Sequence, residues 1–575
     1  MDHLHYPLSY FRRKTRVVRV GDLLLGGDSP IRIQSMLTSA TSDIVGCMKE
    51  IRALNEVGCE LIRLSVPSGK DLEAIGEIRR RMQEEGIATP LVADVHFSPR
   101  LAVEACEFFE KVRINPGNYT DVSKNTKETS RVEFIEGRER LREAIVPLVR
   151  NLIKYDRSLR IGVNHGSLST RMIEQYGDSP GGMVESALEA VALFEEQGFN
   201  RLVVSLKSSN PIIVQKAYRL MAARQSGEEA VPFHLGVTEA GEGTMGRIKA
   251  ITGIGVLLRD GLGDTIRVSL TEESIHEIAY ARELLKSLEE LPTSSNRKEK
   301  VWSRNLDHRR VVNRSLSWSN SQIGGASSVK IGMSPKMKNL PANVRFEPDF
   351  EYRINDNGTV PGSFSKPLFL SDQIAETNRT DMSHYSAILF HTDWPVDDLR
   401  CYYKEQENSA FPSLPVGLLP PLEGATKNAL RTEIELATAL SEGLVDFLLI
   451  PDSITSVQLE KLICLLQATR SKVLLPEYIV CPSCGRTLFD LQSTTKKIKS
   501  ATSHLKGIKI GIMGCIVNGP GEMADADFGY IGSGAGKVDL YLGQKRVERG
   551  IEEGRAVDAL IRLIKKHNRW IEPNF

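Results

Sequence analysis

The chain has almost no net charge, few cysteines and no long apolar run. Its 575 residues carry 74 basic side chains against 73 acidic ones, a formal charge of +1. That balance argues against a protein that coats nucleic acid. No window approaches the ~18 consecutive apolar residues of a membrane span, so no membrane partner is expected. Eight cysteines in so long a chain are too few and too scattered for a disulfide scaffold. The segment from Met1 to Lys14 mixes His, Arg and Tyr without the apolar core of a secretory signal. The expected setting is therefore a reducing cytoplasm. Apolar residues still make up 41% of the chain, enough for sizeable cores. At ~150 residues per domain the length allows three to four domains, although one α/β barrel can take about 250 residues.

From residue 17 to 290, short β-branched runs alternate with helical patterns eight times. The expected strands are Ile31–Met36, Leu61–Val66, Leu91–His96, Val112–Asn115, Arg160–Asn164, Leu202–Lys207, Phe233–Thr238 and Thr265–Leu270. Strand–helix alternation implies a parallel sheet, and eight units in this length fit a (β/α)8 barrel of the TIM type. Several strands alternate polar and apolar residues at period two, where buried parallel strands usually read as continuous apolar runs. Arg63 and Ser65, Asp94 and His96, Arg113 and Asn115, Arg160 and Asn164, Ser205 and Lys207, and Arg267 and Ser269 form the polar set. Successive strand residues point to opposite sides, so the apolar neighbours face the helices and the polar set faces the barrel axis.

Five of these axial residues are cations: Arg63, Arg113, Arg160, Lys207 and Arg267. Converging cations are costly unless anions answer them. Asp94 and Glu239 supply part of the charge. An internal ion-pair network that only props the barrel open is one reading. The favoured one is an anionic substrate at the C-terminal mouth carrying phosphate, because guanidinium forks match phosphate oxygens.

Residues 291–345 break the rhythm, with eleven Lys or Arg against Glu299 and Asp307. This composition reads as a flexible basic connector. It is alternatively a dock for an acidic electron carrier. From 346 to 475 an α/β pattern returns, with expected strands at Tyr385–His391, Leu414–Leu419 and Phe447–Ile450 and helices at Ala429–Leu440 and Val457–Gln467. The expected division is thus 1–290 for the barrel, 291–475 for an inserted module without chemistry of its own, and 476–575 for a small α/β domain.

The third segment carries Cys481-Pro-Ser-Cys484 and then Cys515 in the run GCIVNGPGE, which ends at Glu522. A lone C-x2-C is shared by zinc ribbons, redox dithiols and iron–sulfur sites. A zinc ribbon needs a second pair nearby, and a dithiol needs no third cysteine. Three cysteines with one carboxylate suit a 4Fe–4S cluster whose fourth iron has a harder, more exchangeable oxygen ligand. Gly519-Pro520-Gly521 reverses the chain between Cys515 and Glu522. Cys47, Cys59, Cys106 and Cys464 lie in apolar helical patterns and read as core, while Cys401 shows no partner.

The segments IRLSVPS, ADVHF, VRINPGN, RIGVNHGSL, LGVTEAG and GDTIRVSL, with CPSCGR and GCIVNGPGE, resemble the 4-hydroxy-3-methylbut-2-enyl diphosphate synthases of the non-mevalonate isoprenoid pathway. The resemblance covers about 17–290 and 476–575. The intervening insert matches the long, three-domain form, in which it separates the barrel from the cluster domain and would act as a spacer and docking surface. The resemblance implies reductive ring opening and dehydroxylation of 2-C-methyl-D-erythritol 2,4-cyclodiphosphate, with electrons from ferredoxin or flavodoxin. It implies Cys481, Cys484, Cys515 and Glu522 as ligands of one 4Fe–4S cluster. A homodimer, the assembly of the short form, is possible here.

On this reading Arg63, Arg113, Arg160, Lys207 and Arg267, helped by Ser269, hold the diphosphate, and Asn115 and Asn164 orient it. Glu239, at the mouth end of the seventh strand, is the first candidate for the proton donor, with Asp94 and His96 as alternatives. Two rivals remain at this point. One is a pterin-class barrel enzyme with a structural metal domain. The other is an iron–sulfur carrier, which leaves the five cations unexplained.

Overall fold

A computed structural model describes residues 3–8, 10–120, 131–289, 301–305, 316–318, 321–323, 328–333, 348–351, 368–370, 387–391, 396–406, 416–419, 429–450, 454–481, 487–516 and 519–573. The chain divides into two compact units: residues 12–286 with 475–575, and residues 1–11 with 287–474.

The first unit contains the barrel. Its eight parallel strands are β1 (Arg32–Met36), β2 (Leu61–Ser65), β3 (Leu91–Asp94), β4 (Lys111–Ile114), β5 (Ser158–Asn164), β6 (Leu202–Lys207), β7 (His234–Leu235) and β8 (Thr265–Ile266). Each pairs with the next in chain order, and β8 returns to β1. A single parallel bridge between Val204 and Phe233 joins β6 to β7 and closes the ring. The last two strands are much shorter than the runs expected for them: their ladders are confined to His234–Leu235 and Thr265–Ile266.

The period-two reading holds. Ile62, Leu64, Val112, Ile114, Ile161, Val163, Val204 and Leu206 are buried against the helices. The opposite end of the ring is shut by a hairpin of Val18–Val20 and Leu23–Leu25. Val18, Val20 and Leu25 pack with Leu61, Val92 and Val203 into a small apolar floor.

Several barrel helices start at an Asn or Ser followed by Pro: Ser98-Pro99, Asn115-Pro116, Ser179-Pro180 and Asn210-Pro211. The polar side chain accepts from a backbone N–H of the first turn, and proline occupies a position whose N–H has no helical partner. Outside the strands, Arg219 grips Asp260 through Nε and Nη2 at 2.9 and 2.6 Å, both side chains buried. Removing one partner of a buried pair strands the other charge. Asp260→Asn should therefore lower unfolding stability by about 3–5 kcal/mol, read from the denaturant midpoint.

The same unit holds the C-terminal domain. Strands Glu477–Val480, Lys509–Met513 and Phe528–Gly534 run parallel, and Lys537–Leu542 and Lys545–Glu552 complete the sheet antiparallel. Helices Leu491–Thr502 and Glu553–Lys566 supply Leu491, Ile498, Leu560 and Ile564 to its core beside Ile510, Ile512, Phe528 and Tyr530.

The second unit is built on a parallel sheet of six strands, including Ala387–His391, Val416–Leu419 and Phe447–Ile450. Two expectations change here. The connector 291–345 contains strands Val301–Asn305, Leu316–Trp318, Ser321–Ile323 and Lys330–Met333; the rest of that segment lies outside the described residues. Its few apolar side chains decide this: Trp302, Ile323, Ile331 and Met333 are buried, and Lys330–Met333 pairs with Phe447–Ile450. The N-terminus, assigned by sequence to the barrel, belongs to this unit because His3–Pro7 pairs antiparallel with Val301–Asn305. Among the described residues no helix is long and apolar enough to cross a membrane.

Candidate active site

The mouth of the barrel opens into a polar cavity of about 100 Å³. Its walls include Arg63, Asp94, His96, Arg113, Arg160, Asn164, Lys207, Glu239, Arg267 and Ser269 from the barrel, and Cys481, Cys515 and Glu522 from the C-terminal domain. Cys484 lies outside the described residues. The strands bring these groups together because alternate side chains of β2 to β6 point to the axis, and the C-terminal ends of parallel strands meet at one rim.

Asn115 is placed elsewhere. Its Oδ1 accepts from Gly117 N at 3.0 Å and its Nδ2 donates to Ser167 O at 3.4 Å, so it caps the turn Pro116–Tyr119. The proline that follows makes it an N-cap, and that signal was readable in the sequence.

The electrostatics are lopsided. Arg113 donates to Asp94 at 3.3 Å, to the carbonyl of Gly162 at 3.2 Å and reaches the His96 ring. Burial favours a protonated Asp94, but Arg63, His96 and Arg113 outweigh it and hold the carboxyl well below its usual range. Asp94 is thus a carboxylate, unsuited to donating a proton. Arg267 lies 3.5 Å from Glu277 on the helix Ser274–Lys286, and Glu277 also accepts from Ser35 Oγ at 2.7 Å and Leu270 N at 3.1 Å. Lys207 is pushed well below its ordinary value by burial and then by Arg160, Arg63, Arg267 and Arg113. A site whose cations repel one another this strongly is built for an anion.

Sequence reasoning missed several parts of this wall. Met36, at the end of β1, sets its thioether 2.8 Å from Arg63 and 3.7 Å from Arg267. Gly162 and Gly236 occupy inward positions where a Cβ would run into the Arg113 guanidinium or, at 2.7 Å, the Lys207 amine. The glycines make room for the cations. A glycine at an inward position beside a long cation is the signal that could have found them.

Cys481 follows the strand Glu477–Val480, and Cys515 lies two residues beyond Lys509–Met513. Adjacent parallel strands therefore deliver both thiols to one edge. Gly514 N donates to Cys481 Sγ at 3.2 Å. Backbone N–H bonds to sulfur tune iron–sulfur centres. Among the described residues no three potential ligands are gathered tightly enough for a single metal ion. A multi-iron cluster keeps its ligands farther apart, so two cysteines and a carboxylate on one wall fit it. By contrast, burial pushes the thiols of Cys47, Cys59, Cys106 and Cys464 up to about 12, which suits core residues.

The two domains meet through backbone as well as side chains. Ala240 pairs in parallel with Val480 beside Cys481, and Lys499 binds Glu242 at 3.0 Å. Glu239 is buried, has a positive φ of 51° and shares a hydrogen bond with Glu522. Burial, then the facing Glu522, raises its pKa well above the carboxylate range. Gly521 lies against Gly166: a Cβ on Gly521 would stand 2.6 Å from Gly166 O and 3.0 Å from Ser167 Oγ. Gly521→Ala should force the Glu522 turn away from the barrel rim. Turnover per iron is expected to fall about 10²-fold, the usual penalty for an ångström of misplacement, with iron content retained.

Family models for the "GcpE TIM-barrel domain" and the "GcpE protein C-terminal domain" match residues 15–282 and 477–566. The 4-hydroxy-3-methylbut-2-en-1-yl diphosphate synthase (flavodoxin) of Leptospira interrogans is 37% identical over 99% of this chain and 98% of its own length. The chain belongs to this synthase family. The flavodoxin-type enzyme of Akkermansia muciniphila is 38% identical over 99% of this chain and 98% of its own. The chloroplastic ferredoxin-type enzyme of Arabidopsis thaliana is 35% identical over 98% and 88% respectively. Family membership thus extends across the insert, because these relatives align over almost the whole chain.

Proposed function

We propose that this chain converts 2-C-methyl-D-erythritol 2,4-cyclodiphosphate into (E)-4-hydroxy-3-methylbut-2-enyl diphosphate. One observation carries this reading. A single cavity is lined at once by five cations from the barrel and by Cys481, Cys515 and Glu522 of the C-terminal domain. Two electrons enter, the ring C–O bond and the C–OH bond break, a C=C bond forms, and the hydroxyl takes a proton and leaves as water.

Arg63, Arg113, Arg160, Lys207 and Arg267 bind the cyclic diphosphate and stabilise charge on the departing phosphate oxygen. Asn164 and Ser269 add neutral hydrogen bonds that orient it. Glu239, between the cations and Glu522, donates the proton to the leaving hydroxyl. Its alternatives are weaker: Asp94 is held ionised, and His96 is tied to Asp94 and Arg113. Cys481, Cys484, Cys515 and Glu522 would hold a 4Fe–4S cluster, which when bound supplies the electrons one at a time. The contacts of Ala240 with Val480 and of Lys499 with Glu242 hold the C-terminal domain at the mouth, where it limits water at the reacting carbon. A ferredoxin or flavodoxin in the same cytoplasmic compartment delivers the electrons.

The test is anaerobic phosphorus NMR of the reconstituted protein with the cyclodiphosphate and a strong one-electron reductant. The cyclic diphosphate signals should give way to those of a linear allylic diphosphate. No conversion by protein with verified iron and sulfide would overturn this reading and favour an iron–sulfur carrier.

A further inference from the structure

The barrel interior has three levels. The floor is the apolar hairpin packing of Val18, Val20 and Leu25 on Leu61, Val92 and Val203. The top is the cavity already described. Between them lies a layer of polar side chains that the proposed reaction does not use.

Period two places this layer. Gln34, Lys111, Ser205 and Thr265 each stand two residues before a cavity-lining side chain, namely Met36, Arg113, Lys207 and Arg267. They therefore point to the same axis, one level down. His234 stands two residues before Gly236, which faces the Lys207 amine, and pairs directly with Thr265 across β7 and β8. Arg160, the ladder partner of Arg113, belongs to the cavity level immediately above and is the one member of the group that the proposed reaction also uses.

All six residues are at most 1% exposed. None of the following atoms has a hydrogen-bond partner: Gln34 Nε2 and Oε1, Lys111 Nζ, Arg160 Nε and Nη1, Ser205 Oγ, both His234 ring nitrogens, and Thr265 Oγ1. Buried polar groups are satisfied in the great majority of proteins, so a cluster of this size facing one axis marks a place where something binds.

Charge says what. The charged groups that act on Lys111 are Arg160 and Arg63, and those on His234 are Arg160, Lys207, Lys111 and Arg63. All are cations. The nearby carboxylates are engaged a level higher, Asp94 with Arg113 and His96, and Glu277 with Arg267, Ser35 and the Leu270 amide. Water alone would meet the hydrogen bonds and leave the charge unanswered. A small sphere of negative charge meets both, because it accepts donors from every direction.

We propose that this middle layer binds one small monovalent inorganic anion, a halide, between Lys111 Nζ and the Arg160 guanidinium, with the Ser205 and Thr265 hydroxyls and the Gln34 amide completing its shell. The bound anion keeps Lys111 charged and fixes the underside of Arg160, whose upper side faces the cavity. The inference does not rest on the reaction proposed above, since its test does not read turnover.

The experiment uses the full-length holoprotein purified throughout in bromide with chloride excluded. Diffraction at the bromine edge should show an anomalous peak inside the barrel between Lys111 and Arg160. The thermal midpoint should also be several degrees higher in bromide or chloride than in gluconate at equal ionic strength. Lys111→Met, which keeps the length and removes the charge, should lose that halide dependence. If this variant fails to fold, the wild-type diffraction decides. Absence of a peak in the layer, or a peak only elsewhere, would show that Lys111 is neutral and hydrated, and the proposal would fall.

Discussion

Cys515→Ala is expected to abolish turnover in a chain that still folds. Cys515 lies on a loop beyond the strand Lys509–Met513 and is only partly buried. The domain core is built instead from Ile510, Ile512, Phe528, Tyr530, Leu560 and their neighbours. Loss of the thiol therefore removes little apolar packing, and the thermal midpoint of the apoprotein should barely move. The loss falls on the cluster, which thiolates hold. Iron and sulfide per chain and the visible absorption band should collapse together with activity. Full iron content and turnover in Cys515→Ala would show that this cysteine is not a ligand. Iron removal by chelation from the wild type should produce the same silence, reversible on reconstitution.

Glu239→Gln should keep the cluster and substrate affinity while lowering turnover about 10²–10⁴-fold, the range of general acid–base catalysis. Glutamine preserves the shape and the hydrogen bond towards Glu522 but has no proton to give. The expected signature is a fall in kcat with an almost constant KM, because cations rather than Glu239 hold the diphosphate. Arg267→Ala should do the reverse, weakening capture more than turnover. If Glu239→Gln turns over at the wild-type rate, the proton comes from another group, and His96 becomes the next candidate. The comparison is clean because Glu239 stands at a positive φ that glutamine meets with the same strain, so backbone effects largely cancel.

Much of the barrel and its site was readable in the residue order. Helices cover the outside of every strand, so the outward face had to be apolar, and polar residues at every second position could only face the axis. That is why Arg63, Asp94, Arg113, Arg160, Lys207 and Arg267 were found by alternation and all line one cavity. The same reasoning failed at Asn115, where the residue ends a strand and begins a helix, and the cap claims its side chain. It also overlooked Lys111 and His234, which obey the same alternation a level lower but lie outside the expected strand or were not counted among the axial cations.

The residue order by itself determined the barrel, the cationic axis and the cysteine pattern, since each follows from local periodicity or spacing that any fold must respect. It also determined the family. Tertiary structure alone decided that Glu239 faces Glu522, that Glu277 from an outer helix answers Arg267, and that Gly166 and Gly521 touch through their backbones. These contacts join residues far apart in the chain, and no pattern within a strand or helix encodes which distant group will meet which. The grouping of the N-terminal strand with the insert was decided the same way, by a ladder between His3–Pro7 and Val301–Asn305, because a strand's own residues state that it will pair but not with whom.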